Sequence, residues 1–479
     1  MEGHDKLGMK AVDKISRPMQ RSLIAIALVL TIASVASAQS YDNARSNALG
    51  GSFTAISRGV FSVGFNPANL ALPSEYKSYI TLFGINSYAT NNFYSLMTSA
   101  KYGGKDLTAD NKKLQKEFLS ELPEDGWRSS IGLNMPVPLV SFSSGNKAFT
   151  ANLLYVTDYY VSRPALDLIF GNLQKGVDYQ LDLRCDALTA LEYAYSMGIP
   201  YENMAFGFSL KYYQGLGYYG LDPDHRTGSV MVDTADFILK GSGDYIFRQS
   251  TQGRGFGVDF GVAFQDLNGW QAGISLINIG SVIRWNTETL VSKTLKDWPL
   301  GLMGLMIKNG YMKNSDIDLD FAGESYHYSF EIKDVNRDNF LEGDSSYGDY
   351  FVSHRKVVMD STVFRTRLPL VLRVGLARHV NPDLLVAAEF AASFQESLNY
   401  WKGWRTSVGV EYSYFKKFPF RMGFALGGLS GYEIDLGTGL SLGFAHLDWS
   451  IGFHRGIWIH TAQGLNFSLG AYFTGKTKK

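Results

Sequence analysis

Apolar and small side chains alternate with a period of two over much of this chain. Across residues 434–444 the even positions read Ile434, Leu436, Thr438, Leu440, Leu442 and Phe444, and the odd ones Asp435, Gly437, Gly439, Ser441 and Gly443. Successive side chains of a strand point to opposite faces, so this segment has one apolar face and one small or polar face. Phe256, Val258, Phe260, Val262 and Phe264 alternate in the same way with Gly257, Asp259, Gly261 and Ala263. Leu447, Trp449, Ile451 and Phe453 alternate with Asp448, Ser450, Gly452 and His454, and Thr189, Leu191, Tyr193, Tyr195 and Met197 with Ala190, Glu192, Ala194 and Ser196. A soluble β-sandwich or propeller, the alternative all-β reading, places long polar side chains opposite its core face. A second face of Gly, Ser, Ala and Asp instead fits an antiparallel transmembrane β-barrel, with large side chains in hydrocarbon and a crowded or wet interior.

The pattern predicts about 14 strands, within a range of 14 to 18, and closure of a bacterial barrel requires an even number. Asn268-Gly269, Asn381-Pro382-Asp383, residues 200–203 and residues 416–419 read as short hairpin connections. Residues 215–253 and 311–356 read as long outer loops, with room for strands that project past the membrane. Tyrosine pairs near strand ends (Tyr159 and Tyr160, Tyr212 and Tyr213, Tyr218 and Tyr219), together with Trp401 and Trp404, fit the membrane interface, where an apolar body and a polar tip are both satisfied. One segment breaks the β pattern. Residues 108–122 carry Leu114, Phe118 and Leu119 among Asn111, Lys112, Lys113, Lys116 and Glu117, with Thr108 as N-cap and Pro123 as stop, and predict a small amphipathic helix packed on its own barrel.

The N-terminus reads as an export signal. Lys14, Arg17 and Arg21 precede an apolar run over residues 23–33, and Ala36-Ser37-Ala38 offers a cleavage site before Gln39. The run is far short of the ~20 residues that span a bilayer, and translation from Met19 would give a compact signal by itself. The expected organisation is a signal peptide over 1–38, an N-terminal hatch or plug over 39–75, a barrel over 76–473 and a tail over 474–479. The chain has 45 basic and 45 acidic residues; residues 1–38 hold five and three of these, so the mature charge is −2 and gives no electrostatic footprint for nucleic acid. A single cysteine, Cys185, forms no internal disulfide and is expected to be a packed side chain.

Asn47-Ala48-Leu49-Gly50-Gly51-Ser52-Phe53-Thr54-Ala55, followed by Phe65-Asn66-Pro67-Ala68-Asn69-Leu70, resembles the N-terminal region of the FadL-like superfamily of outer-membrane barrels. That group includes long-chain fatty-acid transporters, aromatic hydrocarbon channels and PorV-like barrels of protein secretion, and the segment before the first glycine-rich strand also resembles uncharacterised Bacteroidetes-type barrels. The motif spans about thirty residues, and Ser57-Arg58-Gly59 stands where family members usually place an acid. The resemblance implies a hatch in the lumen, with Gly50, Gly51, Phe53, Arg58, Asn66, Pro67 and Ala68 as its gating residues, and a cargo that enters from outside and leaves sideways through the wall. From the residues themselves, Gly50 and Gly51 permit close backbone approach, Pro67 fixes a turn, and Asn66 bonds its own backbone to tighten it. Gly464, Phe467 and Leu469 resemble the C-terminal signal read by the barrel-assembly machinery, although six residues follow Phe473.

Few constellations suggest chemistry. Asp448, Ser450 and His454 share one strand face, but at ~3.3 Å per residue Ser450 and His454 are about 13 Å apart along it, too far for proton transfer. Asp334, Asn336 and Asp338 are spaced like the start of a calcium loop, yet its sixth position is Asn339 and its twelfth Ser345; a solvated acidic loop is the expectation. Gly241-Ser242-Gly243 and Gly253-Arg254-Gly255 lack the strand-to-helix setting of a phosphate site. No enzymatic role and no cofactor follow. The expected function is passive uptake of a hydrophobic small molecule across an outer membrane, in contact with its lipid. The alternative is a non-conducting barrel for secretion or surface attachment.

Overall fold

The computed structural model describes residues 43–105, 107, 112–235, 237–286, 324–336, 351–359, 362–395, 398 and 403–476. The expected signal peptide lies outside them. Fourteen strands form a closed antiparallel wall: β1 Tyr76–Asn91, β2 Trp127–Pro136, β3 Lys147–Val161, β4 Leu183–Tyr201, β5 Met204–Val232, β6 Gly253–Leu267, β7 Trp270–Trp285, β8 Val371–Asn381, β9 Leu384–Ser393, β10 Gly403–Tyr412, β11 Phe420–Gly427, β12 Tyr432–Leu442, β13 Ala445–His454 and β14 Gly464–Lys476. Each pairs with its sequence neighbours, and β1 pairs with β14 from Tyr76↔Lys476 to Thr90↔Gly464, which closes the ring. The wall continues three residues past the expected end at 473, and the buried Thr474 hydroxyl lies 3.0 Å from His446 Nε2.

The alternation sorts side chains as the sequence pattern predicts. Phe256 is 68% exposed on the outside, as are Phe260, Leu436, Trp449 and Phe424, whereas Asp259, Asp435, Ser450 and Glu192 are fully buried inside. This inverts a water-soluble protein, in which exposed apolar patches are small. A Phe260→Lys substitution near the middle of the apolar band should cost about 2–4 kcal/mol when refolding into lipid vesicles is titrated with denaturant, while lysine beside a strand end costs near zero. Of the adjacent tyrosines, one in each pair turns inward because neighbours alternate faces. Tyr219 is exposed while Tyr218 donates to Asp186 Oδ1 at 2.7 Å, and Tyr213 is buried while Tyr212 packs outward on Phe256. A doublet therefore contributes one ring to an interfacial belt. Trp401 lies outside the described residues.

The two-residue connections between wall strands all lie at one end of the barrel, including Asn268-Gly269 with φ of 55° and 85°. The other end carries the longest connections, and the expected room for strands projecting past the wall is used there. β5 has 29 residues, about 95 Å at ~3.3 Å per residue, against the ~9–11 needed to cross a membrane. Beyond the wall it pairs with Ile238–Ser250, which pairs with Glu324–Asn336, which pairs with Phe351–Met359, so much of both polar stretches is a projecting sheet. Its inner face buries Val230, Val232, Leu239 and Ile332 against Ala165 and Leu168.

Among the described residues four short α-helices accompany the barrel: α1 Ala44–Ala48, α2 Leu96–Tyr102, α3 Lys112–Glu121 and α4 Arg163–Ile169. The predicted helix is α3; its expected cap Thr108 lies outside the described residues. Phe118 and Leu119 of α3 bury against Phe93, Tyr102 and Leu166, so it packs with α2 and α4 at the long-loop end. The period of two hid α2 and α4, each only seven residues long. No helix among the described residues is long and apolar enough to cross a membrane.

Candidate functional site

Residues 43–75 fold into the lumen as a plug that begins with α1. Asn43 caps this helix by accepting from Arg45 N–H and Ser46 N–H, while Ser46 Oγ accepts from Asn43 N–H. Two 3₁₀ turns, Gly59–Ser62 and Pro67–Ala71, complete the fold. Asn66 acts as expected: its Oδ1 accepts from Ala68 N–H at 3.1 Å, and its Nδ2 donates to Val262 O of β6 at 2.9 Å. Phe53 and Phe65 meet edge to face at 5.0 Å beneath Leu49 and Ile56, forming the dry centre of the plug.

Several inward glycines of the wall are seats for this segment, while others, such as Gly257 under Ser281 and Gly439 under Asp448, lie under wall side chains. A Cβ on Gly423 would lie 2.0 Å from Gly50 N, and one on Gly207 2.1 Å from Ala68 N. The same holds for Gly409 under Leu49, Gly375 under Ala55 and Gly198 under Ala71, at 2.6, 2.8 and 2.6 Å. Gly198, Gly207 and Gly261 are register partners across β4, β5 and β6, as are Gly409 and Gly423 across β10 and β11. The small second face read from the sequence thus has a definite cause. Plug backbone, rather than water alone, lies against it.

Charged groups then tie plug to wall. Arg45 makes a bidentate pair with Glu411, both N···O distances being 2.8 Å; Glu411 also takes Arg421 at 2.6 Å, and Arg421 reaches Asp448 at 2.5 Å. Glu389 Oε2 accepts from Phe53 N–H and Thr54 N–H at 2.9 and 2.8 Å, and its other oxygen pairs with Arg373, whose guanidinium lies 4.7 Å from the centre of the Phe65 ring. Asn47 donates to Ser468 of the last strand. Arg58 differs from the other cations of the network, because its four hydrogen bonds go to Pro73 O, Ala55 O, Ser57 O and Gln271 Oε1, all of them neutral. Burial, reinforced by the Arg45 charge, lowers its pKa to about 10.

Of the residues named from the sequence, Gly50 and Phe53 stand against β9–β11 with Gly51 beside them, Asn66, Pro67 and Ala68 against β5–β7, and Arg58 reaches Gln271 of β7. Sequence reading missed Arg45, Glu389, Glu411 and Arg421. The signal was present, since the last three occupy inward positions of strands whose outward positions are apolar. Asp448, Ser450 and His454 are held apart as expected: Asp448 engages Arg421 and the Tyr472 hydroxyl, and His454 Nε2 is 3.5 Å from Glu433. No group of three metal-binding side chains occurs among the described residues; Asp338 and the side chains of Asp334 and Asn336 lie outside them.

Beside the plug the wall is interrupted. β2 stops at Pro136, and its continuation Phe142–Ser144 resumes pairing with both β1 and β3. On the β3 side residues 137–141 stand opposite Thr150 and Ala151, on the β1 side Leu139 and Ser141 both bond the backbone of Thr81, and Leu139 bulges outward with φ of 63° and 66% exposure. Across β1 from this bulge, Gly84 pairs with Gly470, and Pro136 packs where a side chain of Gly84 would stand. A cavity of about 70 Å³ lies here between plug residues Asn43, Val60 and Phe61 and wall residues Gly84, Asn134 and Pro136. It adjoins a second, of about 110 Å³, that reaches Arg45 and Arg58.

Residues 67–452 match the model of a family of unknown function, DUF5723. No curated protein matches the chain. Among solved structures, the toluene transporter TbuX of Ralstonia pickettii is 13% identical, with 91% of this chain and 98% of that one covered and a TM-score of 0.45. The toluene transporter TodX of P. putida is 12% identical, with coverage of 91% and 99% and a TM-score of 0.46. A Pseudomonas aeruginosa FadL homologue is 12% identical, with coverage of 92% and 99% and a TM-score of 0.43. At such identities the cargo belongs to those proteins.

Proposed function

We propose that this chain, which belongs to the DUF5723 family, is an outer-membrane channel for passive uptake of a hydrophobic small molecule, with residues 43–75 as its hatch. The observation that carries this reading is the coincidence of three features at one place: the wall bulge after Pro136, the side-chain-free pair Gly84 and Gly470, and a cavity shared by plug and wall. A tightly laddered wall offers an apolar solute no way out. Here the regular ladder gives way to a bulge held by Val137 N–H on Ala151 O, Leu139 N–H on Thr81 O and Thr81 N–H on Ser141 O, and the cavity beneath it is lined by Phe61, Val60, Phe83 and Pro136 together with Asn86, Asn134 and Asn152; a wall with fewer ladder bonds beside the plug supports exit sideways into lipid. Apolar side chains outside and buried ion pairs inside support a bilayer as the surrounding solvent.

Gly470 gives a direct test. It lines both cavities, and a Cβ there has its nearest neighbour, Phe83 O, at 3.8 Å, so a larger residue enters without displacing backbone. In vesicles carrying the purified barrel, Gly470→Trp should reduce the flux of a neutral aromatic probe at least tenfold while heat-modifiable gel mobility stays unchanged. Equal flux in the variant would exclude the sideways route. The projecting sheet on β5 favours a second reading, a non-conducting barrel that presents this sheet to another protein. Probe flux equal to that of empty vesicles, both for the whole barrel and after removal of residues 39–70, would favour that reading.

A further inference from the structure

The cavity of about 110 Å³ behind the plug is walled by Phe53, Phe61, Tyr76, Tyr79 and Tyr472, with Arg45 and Arg58 at its lining. Phe61 stands edge to face with Tyr472 at 4.9 Å and with Tyr79 at 6.2 Å, so ring faces and edges surround the space. Its charges do not balance. Arg45 and Arg421 are matched by Glu411 and Asp448, and the Tyr472 hydroxyl further satisfies Asp448. Among the described residues Arg58 is surplus: it bonds only neutral oxygens there and leaves one of its five N–H groups free of those bonds. Arg58 is half-buried, with its Nε bond to Pro73 O on the exposed side, and a cation partly withdrawn from water without a carboxylate is stabilised when an anion joins it; its lowered pKa agrees with that.

We infer that this cavity is a binding site for a small aromatic monocarboxylate, its carboxylate on Arg58 and Arg45 and its ring among Phe61, Tyr79 and Tyr472. One negative charge completes the network, whereas a dianion overshoots it. A guanidinium presents N–H groups in a fork that matches a carboxylate, and Arg45 commits only Nε and Nη2 to Glu411. The ring faces favour a flat apolar body. The space of about 110 Å³ borders the one of about 70 Å³ at Phe61, Gly470 and Tyr472, and a ring the size of benzene, which fits a cavity of ~150 Å³, draws on both. The inference rests on the channel reading only for how such a molecule would move on; binding itself does not require conduction.

Calorimetry on the purified full-length barrel in detergent tests it, with benzoate, benzyl alcohol and hexanoate as probes. Benzoate should bind with one site, and at least tenfold more tightly than either of the others. Equal binding of benzyl alcohol would overturn the role of Arg58, and equal binding of hexanoate would overturn the aromatic class. Arg58→Met should lose benzoate at least tenfold while Arg58→Lys keeps part of it; because Arg58 also braces the plug, proteolysis of the plug checks that each variant is seated. A seated Arg58→Met that binds benzoate as the parent does would sink the site. Benzoate binding without probe flux would sink the channel and leave the site standing; flux without benzoate binding would do the reverse.

Discussion

Arg421→Met is expected to cost about 3–5 kcal/mol, because it strands the buried Asp448 and takes one of its two cations from Glu411. Arg421 lies between Glu411 and Asp448 at 2.6 and 2.5 Å, and Glu411 in turn holds Arg45 of the plug. Removing the central cation leaves Asp448 with only the Tyr472 hydroxyl at 3.1 Å. Reversible urea unfolding in lipid vesicles, followed by tryptophan fluorescence, measures the loss. Replacing Asp448 by Asn in the same chain should recover part of it, since one unmatched charge goes with it. A loss below 1 kcal/mol would mean that water reaches these carboxylates freely, and that the plug is not sealed on this side.

Gly423→Leu is expected to unseat the plug while sparing the wall. The new Cβ would meet Gly50 N at 2.0 Å, a contact with backbone on both sides that no rotamer relieves. Overpacking of this kind costs about 1–3 kcal/mol, and release of residues 43–57 from their seats is the cheaper response. Limited proteolysis should then cut between Arg45 and Arg58 at least tenfold faster than in the parent, with barrel mobility on unheated gels unchanged. A plug as protected as in the parent would show that the glycine seats are not what positions it. Gly443, at a short turn with nothing within 4 Å of its Cβ position, is a control; its φ of 77° makes alanine there mildly strained without touching the plug.

The wall was legible in the sequence because its rule is local. Residues 256–264 and 434–444 declare their two faces within eleven positions, and turns such as Asn268-Gly269 mark where one strand ends and the next begins. With these, a count of about fourteen followed. The projecting sheet was less legible, since residues 215–253 are polar and β5 merely continues past the point where its apolar face stops. The plug was half legible. Its own sequence showed Gly50, Asn66 and Pro67, but the partners of its polar groups lie 335 and 366 residues away, as Thr54 with Glu389 and Arg45 with Glu411 do. Nothing in a single chain reading connects positions so far apart, and the inward glycines read as room for water rather than as seats. The bulge after Pro136 was invisible for a related reason: it is a mismatch of length between neighbouring strands, and only pairing reveals it.

The ties of the plug also set an order of assembly. Its partners include Val262, Glu389, Glu411 and, in the final strand, Ser468, so they span nearly the whole chain. Closing contacts between such remote positions is slow, and the seats exist only once β14 has met β1. The first of the described residues to be synthesised are thus the last to settle, and until they do the newly closed cylinder keeps its glycine seats unfilled.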